Sequence, residues 1–254
     1  MKNPFANKRD GATTVSLTVS FRCPDRGPTS VLAQLDKLAA NADTSTSEGF
    51  SELCADTALL LMRRSGEWLA CCGSAEHRKT DDDALNLYDK LAIREAAKFE
   101  DRDTGASVDA ALAAAGIGDK NSAPPTIAVV CVVACLLGDR EEVRERREER
   151  RGPLALRPVW YREERRVMGC AARVLRMHTH AQPNQALRVS STQALDKEFS
   201  GDAGKMRLAL EELAAAGNAD QEVLALELFW VPGDDSETLD VDEVLIDWPE
   251  LMQC

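Results

Sequence analysis

The sequence predicts an α+β fold, in which helices cover one face of a single, mostly antiparallel sheet. Two observations lead to this prediction: the strand-like segments are separated by unequal numbers of helices, and the first of them has only one apolar face. A parallel, doubly wound sheet is the competing fold. It is disfavoured because the chain has neither a GxGxxG sequence nor a P-loop, the glycine-rich phosphate turns that accompany many such sheets.

The first strand and the two helices after it follow from the spacing of apolar residues. Between Val15 and Phe21, apolar residues alternate with serine and threonine, which predicts a strand with one face on the core and the other toward polar surroundings. Helical spacing then predicts a helix over residues 31–42. A second helix is expected from a capping box at Ser45 and Glu48 to the pair of arginines at 63 and 64.

The middle of the chain supplies a central strand. Residues 68–72 predict a short strand, and the acidic cluster Asp81–Asp83 predicts the start of a helix that continues to Phe99. Residues 101–125 are rich in Gly, Ala, Asp and Pro and predict a loop. Ile127–Leu137 is apolar throughout and rich in valine, so we expect it at the centre of the sheet, buried on both faces.

The last part of the chain predicts strands at 167–177 and 222–231 and helices at 190–198 and 203–216. We expect residues 1–12 to be a polar leader and 13–254 to be one domain with a charged insertion at about 139–166. The insertion contains REEVRERREERR, whose opposite charges suit an exposed helix. A hairpin arm that turns at Gly152 and Pro153 fits equally well. The fold prediction therefore includes a charged hairpin or helical excursion.

The charge of the chain limits its partners. A net charge of -12 disfavours nucleic acid, because phosphate binding needs a basic surface. After Arg207 the chain has no lysine or arginine, whereas thirteen acidic residues follow. This acidic end either attracts a basic partner surface or is a solvated face. The longest apolar run falls short of the roughly 20 residues that a membrane helix needs, so no transmembrane segment is expected.

Few residues stand out as chemical candidates. The eight cysteines form no CxxC pair, which disfavours a zinc ribbon and fits a reducing compartment. Cys71 and Cys72 are candidate redox residues, although strand alternation would bury one thiol and expose the other. His178 and His180 share one face of an extended segment and are candidate metal ligands, but two histidines alone make a weak site. GxSxG and HExxH sequences are absent, so we predict no catalytic residue, no cofactor and no enzyme activity.

Three segments carry a resemblance to a known family. They are ADTSTSEGFSELCADTALLLMRRSGEWLACC, the Lys-Phe pair at the end of the third helix, and LALELFWVPGDDSETLDVDEVLIDWPEL. Together they resemble an uncharacterised domain family of cyanobacteria and chloroplasts, which includes the plant fluctuating-light-acclimation protein. The matching positions are Thr44, Glu48, Arg63, Trp68, Lys98, Phe99, Glu227, Trp230, Pro232, Glu243 and Pro249. Trp248 departs from the family, which usually has tyrosine there, and residues 140–166 look like an insertion.

The resemblance indicates a cellular location more than a chemistry, because no catalytic residues are assigned to the family. Together with the missing catalytic motifs, it suggests a non-enzymatic regulatory or assembly protein of a photosynthetic organelle, acting through protein–protein contacts in the acclimation of photosynthesis to light. The expected location is the chloroplast, in the stroma or at the periphery of the thylakoid or envelope membrane, and the cytoplasm is the alternative. The expected partners are other proteins, including a membrane-bound photosynthetic complex. The alternative functions are an enzyme or small-ligand-binding domain and a thiol-based redox sensor.

Overall fold

The computed structural model describes residues 11–43, 45–100, 125–138, 159–163, 173–180, 198–218, 223–233 and 237–254. All statements below about the fold concern these residues. The strands are β1 Ala12–Cys23, β2 Trp68–Arg78, β3 Thr126–Leu137, β4 Val159–Glu163, β5 Arg173–His180, β6 Phe199–Ser200, β7 Val223–Val231 and β8 Met252–Gln253. The helices are α1 Val31–Asn41, α2 Ser47–Arg63, α3 Asp81–Glu100, α4 Ala203–Gly217 and α5 Val241–Asp247.

The strands form one sheet in the order β4-β5-β7-β3-β1-β2-β6, and β8 also pairs with β2. Every strand pair is antiparallel. The predicted central strand is β3, which lies between β1 and β7 and is buried along almost its whole length. The prediction of an α+β fold with a mostly antiparallel sheet and packed helices is confirmed.

Helices cover both faces of this sheet. The first face packs against α1, α2 and α4 through side chains such as Leu17, Val132 and Leu228. The second face packs against α3 and α5 through side chains such as Val133 and Phe229. The sequence predicted helices on one face only; the structure has that layer and a second one in addition.

The sequence did not predict the second layer of helices, because the face of β1 beneath that layer is polar. Thr14, Ser16, Thr18 and Ser20 are each no more than 5% exposed. Buried hydroxyl groups are tolerated when they form hydrogen bonds. Thr14 Oγ1 donates to the Ala84 carbonyl of α3 at 2.8 Å, and Ser20 Oγ donates to the Ala70 carbonyl at 3.4 Å. An alternation that looked half-exposed therefore belongs to a strand that is buried on both sides.

Several element ends differ from the predictions. The N-cap of α2 is Thr46 rather than Ser45, because the Thr46 hydroxyl accepts a hydrogen bond from the Gly49 amide at 3.1 Å. β2 continues to Arg78, six residues beyond the predicted end at Cys72, because its whole length pairs with β1. α3 and α4 match the predicted helices closely.

Part of the predicted insertion lies in the sheet. Residues 159–163 form β4, which pairs with β5. Residues 1–10 of the predicted leader, the predicted helix over most of 190–198, and residues 139–158 and 164–166 of the insertion lie outside the described residues.

Candidate functional site

The segment Leu239–Cys254 closes over the second face of the sheet, and we call it the clasp. Two hydrogen bonds join its first residue to β3. The Leu239 amide donates to Thr126 Oγ1 at 2.8 Å, and the Ile127 amide donates to the Leu239 carbonyl at 3.0 Å. The clasp then forms α5, turns at Pro249, and ends in β8 on the outer side of β2. The clasp is therefore fixed at both ends to different strands.

The helix α5 begins with a complete capping box. Asp240 accepts a hydrogen bond from the Glu243 amide at 2.9 Å, and the Glu243 carboxylate accepts one from the Asp240 amide at 2.9 Å. Asp240 is therefore the cap of α5, and the capping box accounts for Glu243 in the family pattern, since two amide groups at the helix start would otherwise lack a partner. Val244 and Trp248, four residues apart, point into the core.

An aromatic chain joins the clasp to α3 and β7. The ring of Trp248 meets Phe99 edge-to-face with 5.2 Å between the ring centroids, and Phe99 stacks on Phe229 at 5.4 Å. All three side chains are fully buried. Tryptophan at 248 is therefore a packing residue, and Phe99 of the Lys-Phe pair is its direct neighbour.

Lys98, the other half of that pair, binds two carboxylates. Its ammonium group contacts Glu95 Oε2 at 2.7 Å and also pairs with Glu250 of the clasp. Burial lowers the pKa of Lys98, but the hydrogen bonds and charges of Glu250 and Glu95 outweigh this effect and raise the pKa above its ordinary value. Glu95 is only 2% exposed and also binds Arg94 at 2.9 Å. This group of charges connects the clasp to α3.

The outward side of the clasp is apolar and acidic. Val241, Leu245 and Ile246 are 60%, 56% and 76% exposed, and Met252 is 60% exposed. Of the six large apolar side chains that are exposed in the described residues, four therefore lie in the clasp. α5 and its cap also carry four carboxylates, at Asp240, Asp242, Glu243 and Asp247. We call these exposed apolar side chains and these carboxylates the apolar patch of the clasp and its acidic rim.

The two candidate redox cysteines lie on opposite faces of β2. Cys71 is buried in the first core, whereas Cys72 is partly buried against the second, as strand alternation requires. Burial raises the pKa of both thiols, that of Cys72 to about 12. The pairing of β2, β1 and β3 places Cys72, Thr18 and Cys131 in one row. Since Cys72 and Cys131 are two strands apart, roughly 10 Å, they are too distant for a disulfide.

Several of the residues that carry the family resemblance are buried or join two elements of the fold. Glu227 and Trp230 are buried in β7, and Trp230 Nε1 donates to the Asp36 carboxylate at 3.3 Å. Trp68 Nε1 donates to the Leu61 carbonyl at 3.1 Å, which ties the start of β2 to the end of α2. Glu48 and Arg63 lie exposed at the two ends of α2, Pro232 follows β7 through a cis peptide bond, and Pro249 is exposed in the clasp. Thr44 lies outside the described residues.

The metal candidates His178 and His180 lie in β5, opposite Tyr161 and Val159 of β4 in the register. Within the part of the chain that the structure describes, no three His, Cys, Asp or Glu residues come together as a metal site. Likewise, each helix there is too short or too polar to cross a lipid bilayer.

A cleft of about 290 Å³ lies between the start of α1 and the residues after β7. Its polar side chains already form internal bonds. Ser30 caps α1 by accepting from the Ala33 amide, Asp36 accepts from Trp230, and Arg26 donates to the Glu237 carbonyl. The cleft therefore offers a ligand few polar groups that are not already engaged.

Sequence reasoning missed two members of the Lys98 group, Glu95 and Glu250. The three-residue spacing of Glu95 and Lys98 on a predicted helix was a usable signal, since such residues are neighbours on the helix surface. Glu250 gave no comparable signal, because its contact with Lys98 joins residues that are 152 positions apart.

A family of proteins matches the part of the chain that contains α3 and the clasp. The model of a family described as a protein of unknown function (DUF1517) matches residues 11–161 and 186–254. The chain belongs to this family. The match includes α3 and the whole clasp, so the Lys98 group and the exposed apolar patch lie inside the family domain. No curated protein and no solved structure is significantly similar to the chain.

Proposed function

We propose that the protein is a non-enzymatic regulatory or assembly protein that binds another protein through the clasp. The observation that carries this proposal is the concentration of exposed apolar side chains there: Val241, Leu245, Ile246 and Met252. Scattered apolar residues on a surface are normal, but a group of them with a polar rim is typical of a binding site for protein. The rest of this molecule's described surface carries only two such side chains, Ile93 and Leu208.

The charge around the patch defines the partner. Every ionisable residue of α5 is acidic, and the chain has no lysine or arginine after Arg207. The matching partner surface has apolar side chains next to lysine or arginine. Charge complementarity of this kind increases the rate of association and selects among partners, while burial of the apolar groups supplies most of the affinity.

The cellular setting in this proposal rests on the resemblance alone. On that basis the partner is a chloroplast protein, and we propose a component of a membrane-bound photosynthetic complex that adjusts to changing light. The stromal side of the thylakoid or envelope membrane is the corresponding location.

A small-ligand-binding function is the second candidate, and the cleft beside Pro232 supports it. The internal bonds of Ser30, Asp36 and Arg26 count against it, because a ligand would have to break them to reach those groups. The thiol-sensor alternative at Cys71 and Cys72 is weakened because the two thiols lie on opposite faces of β2 and do not face each other.

Affinity capture from chloroplast membranes tests the proposal. The wild-type chain is compared with a variant that carries Val241→Ser, Leu245→Ser and Ile246→Ser, and with a matched control that carries Ile93→Ser and Leu208→Ser. We expect one reproducible partner with the wild type and the control, and a loss of at least tenfold with the clasp variant. Binding should also weaken as salt increases, because salt screens the acidic rim.

A deletion of residues 140–158, which keeps β4, separates the clasp from the rest of the predicted insertion as the binding surface. If the deletion abolishes capture and the clasp variant does not, the insertion is the interface and the proposal is wrong. Circular dichroism of each variant establishes that its fold is intact. Direct binding of the purified partner to both proteins then confirms that no third component is needed.

A further inference from the structure

The end of the clasp places a second thiol beside Cys71. In the pairing of β8 with β2, Ala70 lies opposite Gln253 and Cys71 lies opposite Met252. The Cys254 amide continues this pairing by donating to the Leu69 carbonyl at 3.1 Å. Side chains alternate across a strand, so Cys71, Met252 and Cys254 are on the same face. Cys254 is then the diagonal neighbour of Cys71 across the β8–β2 pair.

The two thiols differ in access. Cys71 is fully buried, whereas Cys254 is exposed. Their side chains interact directly, and this interaction adds to burial in raising the pKa of Cys71. A buried thiol is protected from solution oxidants, but it can still react with a neighbouring sulfur that has already been modified. The pair therefore has an entry cysteine and a resolving cysteine.

The surroundings hold the pair together. The Gly201 amide donates to the Cys71 carbonyl at 2.8 Å, and the Ser200 hydroxyl donates to the Glu250 carbonyl at 2.6 Å. Gly201 has a positive φ of 68°, and a Cβ there would lie 2.8 Å from the Gln253 carbonyl oxygen. The β6 turn thus packs directly against β8 and keeps it beside β2.

We propose that Cys71 and Cys254 form a reversible disulfide that locks the end of the clasp onto β2. The oxidant is a small-molecule disulfide of the glutathione class. The Cys254 thiolate attacks one sulfur of the oxidised molecule and expels one reduced thiolate. The Cys71 sulfur then attacks Cys254 Sγ and expels the second. The protein loses two electrons and two protons, and the oxidant becomes two thiols.

The disulfide determines whether β8, at the end of the clasp, can separate from β2. With the thiols reduced, two backbone-paired residues and the Glu250 contacts hold β8, so this segment can open locally. With the disulfide formed, opening of β8 requires either bond cleavage or separation of β2 from the sheet. This lock does not depend on the partner-binding role of the clasp, and its test uses no partner.

The test exposes the folded full chain to oxidised glutathione, blocks the remaining thiols by alkylation, and maps the disulfides by mass spectrometry without reduction. We expect a peptide that joins Cys71 to Cys254, reversed by dithiothreitol. Amide exchange of Met252 and Gln253 should slow at least tenfold on oxidation. The matched control Cys72→Ser, whose thiol points to the opposite face, should form the same cross-link.

Three results would overturn the proposal. One is a stable glutathione adduct on Cys254 with Cys71 still reduced. Another is a Cys254–Cys254 disulfide between two chains. The third is an unchanged rate of amide exchange in β8 after the cross-link has formed. Cys254→Ser, at an exposed position that leaves the core intact, must remove the cross-link without creating a different one.

Discussion

At the scale of single residues, Lys98 has the most to explain, because it neutralises a carboxylate that is almost fully buried. An isolated buried charge is costly, and removal of one partner of such a pair commonly costs about 3 kcal/mol or more. We therefore expect Lys98→Met to lower the free energy of unfolding by about 3 kcal/mol, measured by urea denaturation. Glu95 would keep only Arg94, whose side chain is 58% exposed.

The double variant Lys98→Met, Glu95→Gln provides the control. It removes both charges of the buried pair, so we expect it to recover much of the lost stability. Equal stability of the single and double variants would show that Glu95 does not depend on Lys98.

The positions of single residues in the fold were predictable where a local pattern determines them. Strand alternation placed Cys71 and Cys72 on opposite faces, and the resemblance selected Lys98 and Phe99. The contacts of Lys98 with Glu250 and of Phe99 with Trp248 were not predictable, because both join α3 to residues about 150 positions later in the chain. No period in the sequence reports such a contact.

At the scale of elements, α5 depends on its first residue. A helix of seven residues is too short to be stable alone, so the capping box and the packing of Trp248 must hold it. We expect Asp240→Ala to cost about 1 kcal/mol and to speed amide exchange within α5. Urea denaturation and hydrogen exchange measure the two effects.

Asp242→Ala is the matched control for this prediction. Asp242 is an acidic residue of the same first turn, but the capping bonds belong to Asp240 and Glu243. If both substitutions speed exchange equally, the negative charge near the helix start stabilises α5, and the capping hydrogen bonds do not account for the effect.

Element type was predictable along most of the described chain, whereas the number of layers was not. The spacing of apolar residues in α3 and α4 and the valine-rich run of β3 are strong local signals. The polar face of β1 misled, because serine and threonine can be buried when backbone groups accept their hydrogen bonds. A sequence pattern shows which side chains are polar, but it does not show what covers them.

At the scale of the whole molecule, the buried thiols make stability depend on pH. Burial raises the pKa of Cys23 from 9.0 to about 11 and that of Cys135 from 9.0 to about 12, and it raises the pKa of Cys71 and Cys131 as well. Above pH 9 the unfolded chain releases protons that the folded chain keeps. The stabilising effect of the buried thiols is therefore complete below pH 9 and is lost as the pH rises above 9.

We expect the free energy of unfolding to fall between pH 9 and 10 by up to about 1.4 kcal/mol for each buried thiol. Urea denaturation at pH 7, 8, 9 and 10 with a non-thiol reductant measures this. Cys135→Ala should reduce the slope by one thiol's share. A midpoint that stays constant up to pH 10 would contradict the prediction.

The short strands β6 and β8 have a consequence for how the whole molecule behaves in concentrated solution. They occupy the outer backbone groups of β2 from Ala70 to Gly73, the residues that would otherwise form a pairing edge. Free sheet edges template aggregation by adding strands from other molecules, and natural proteins protect against this with short covering segments. Along this stretch the sheet cannot grow by strand addition, so assembly there must proceed through side chains.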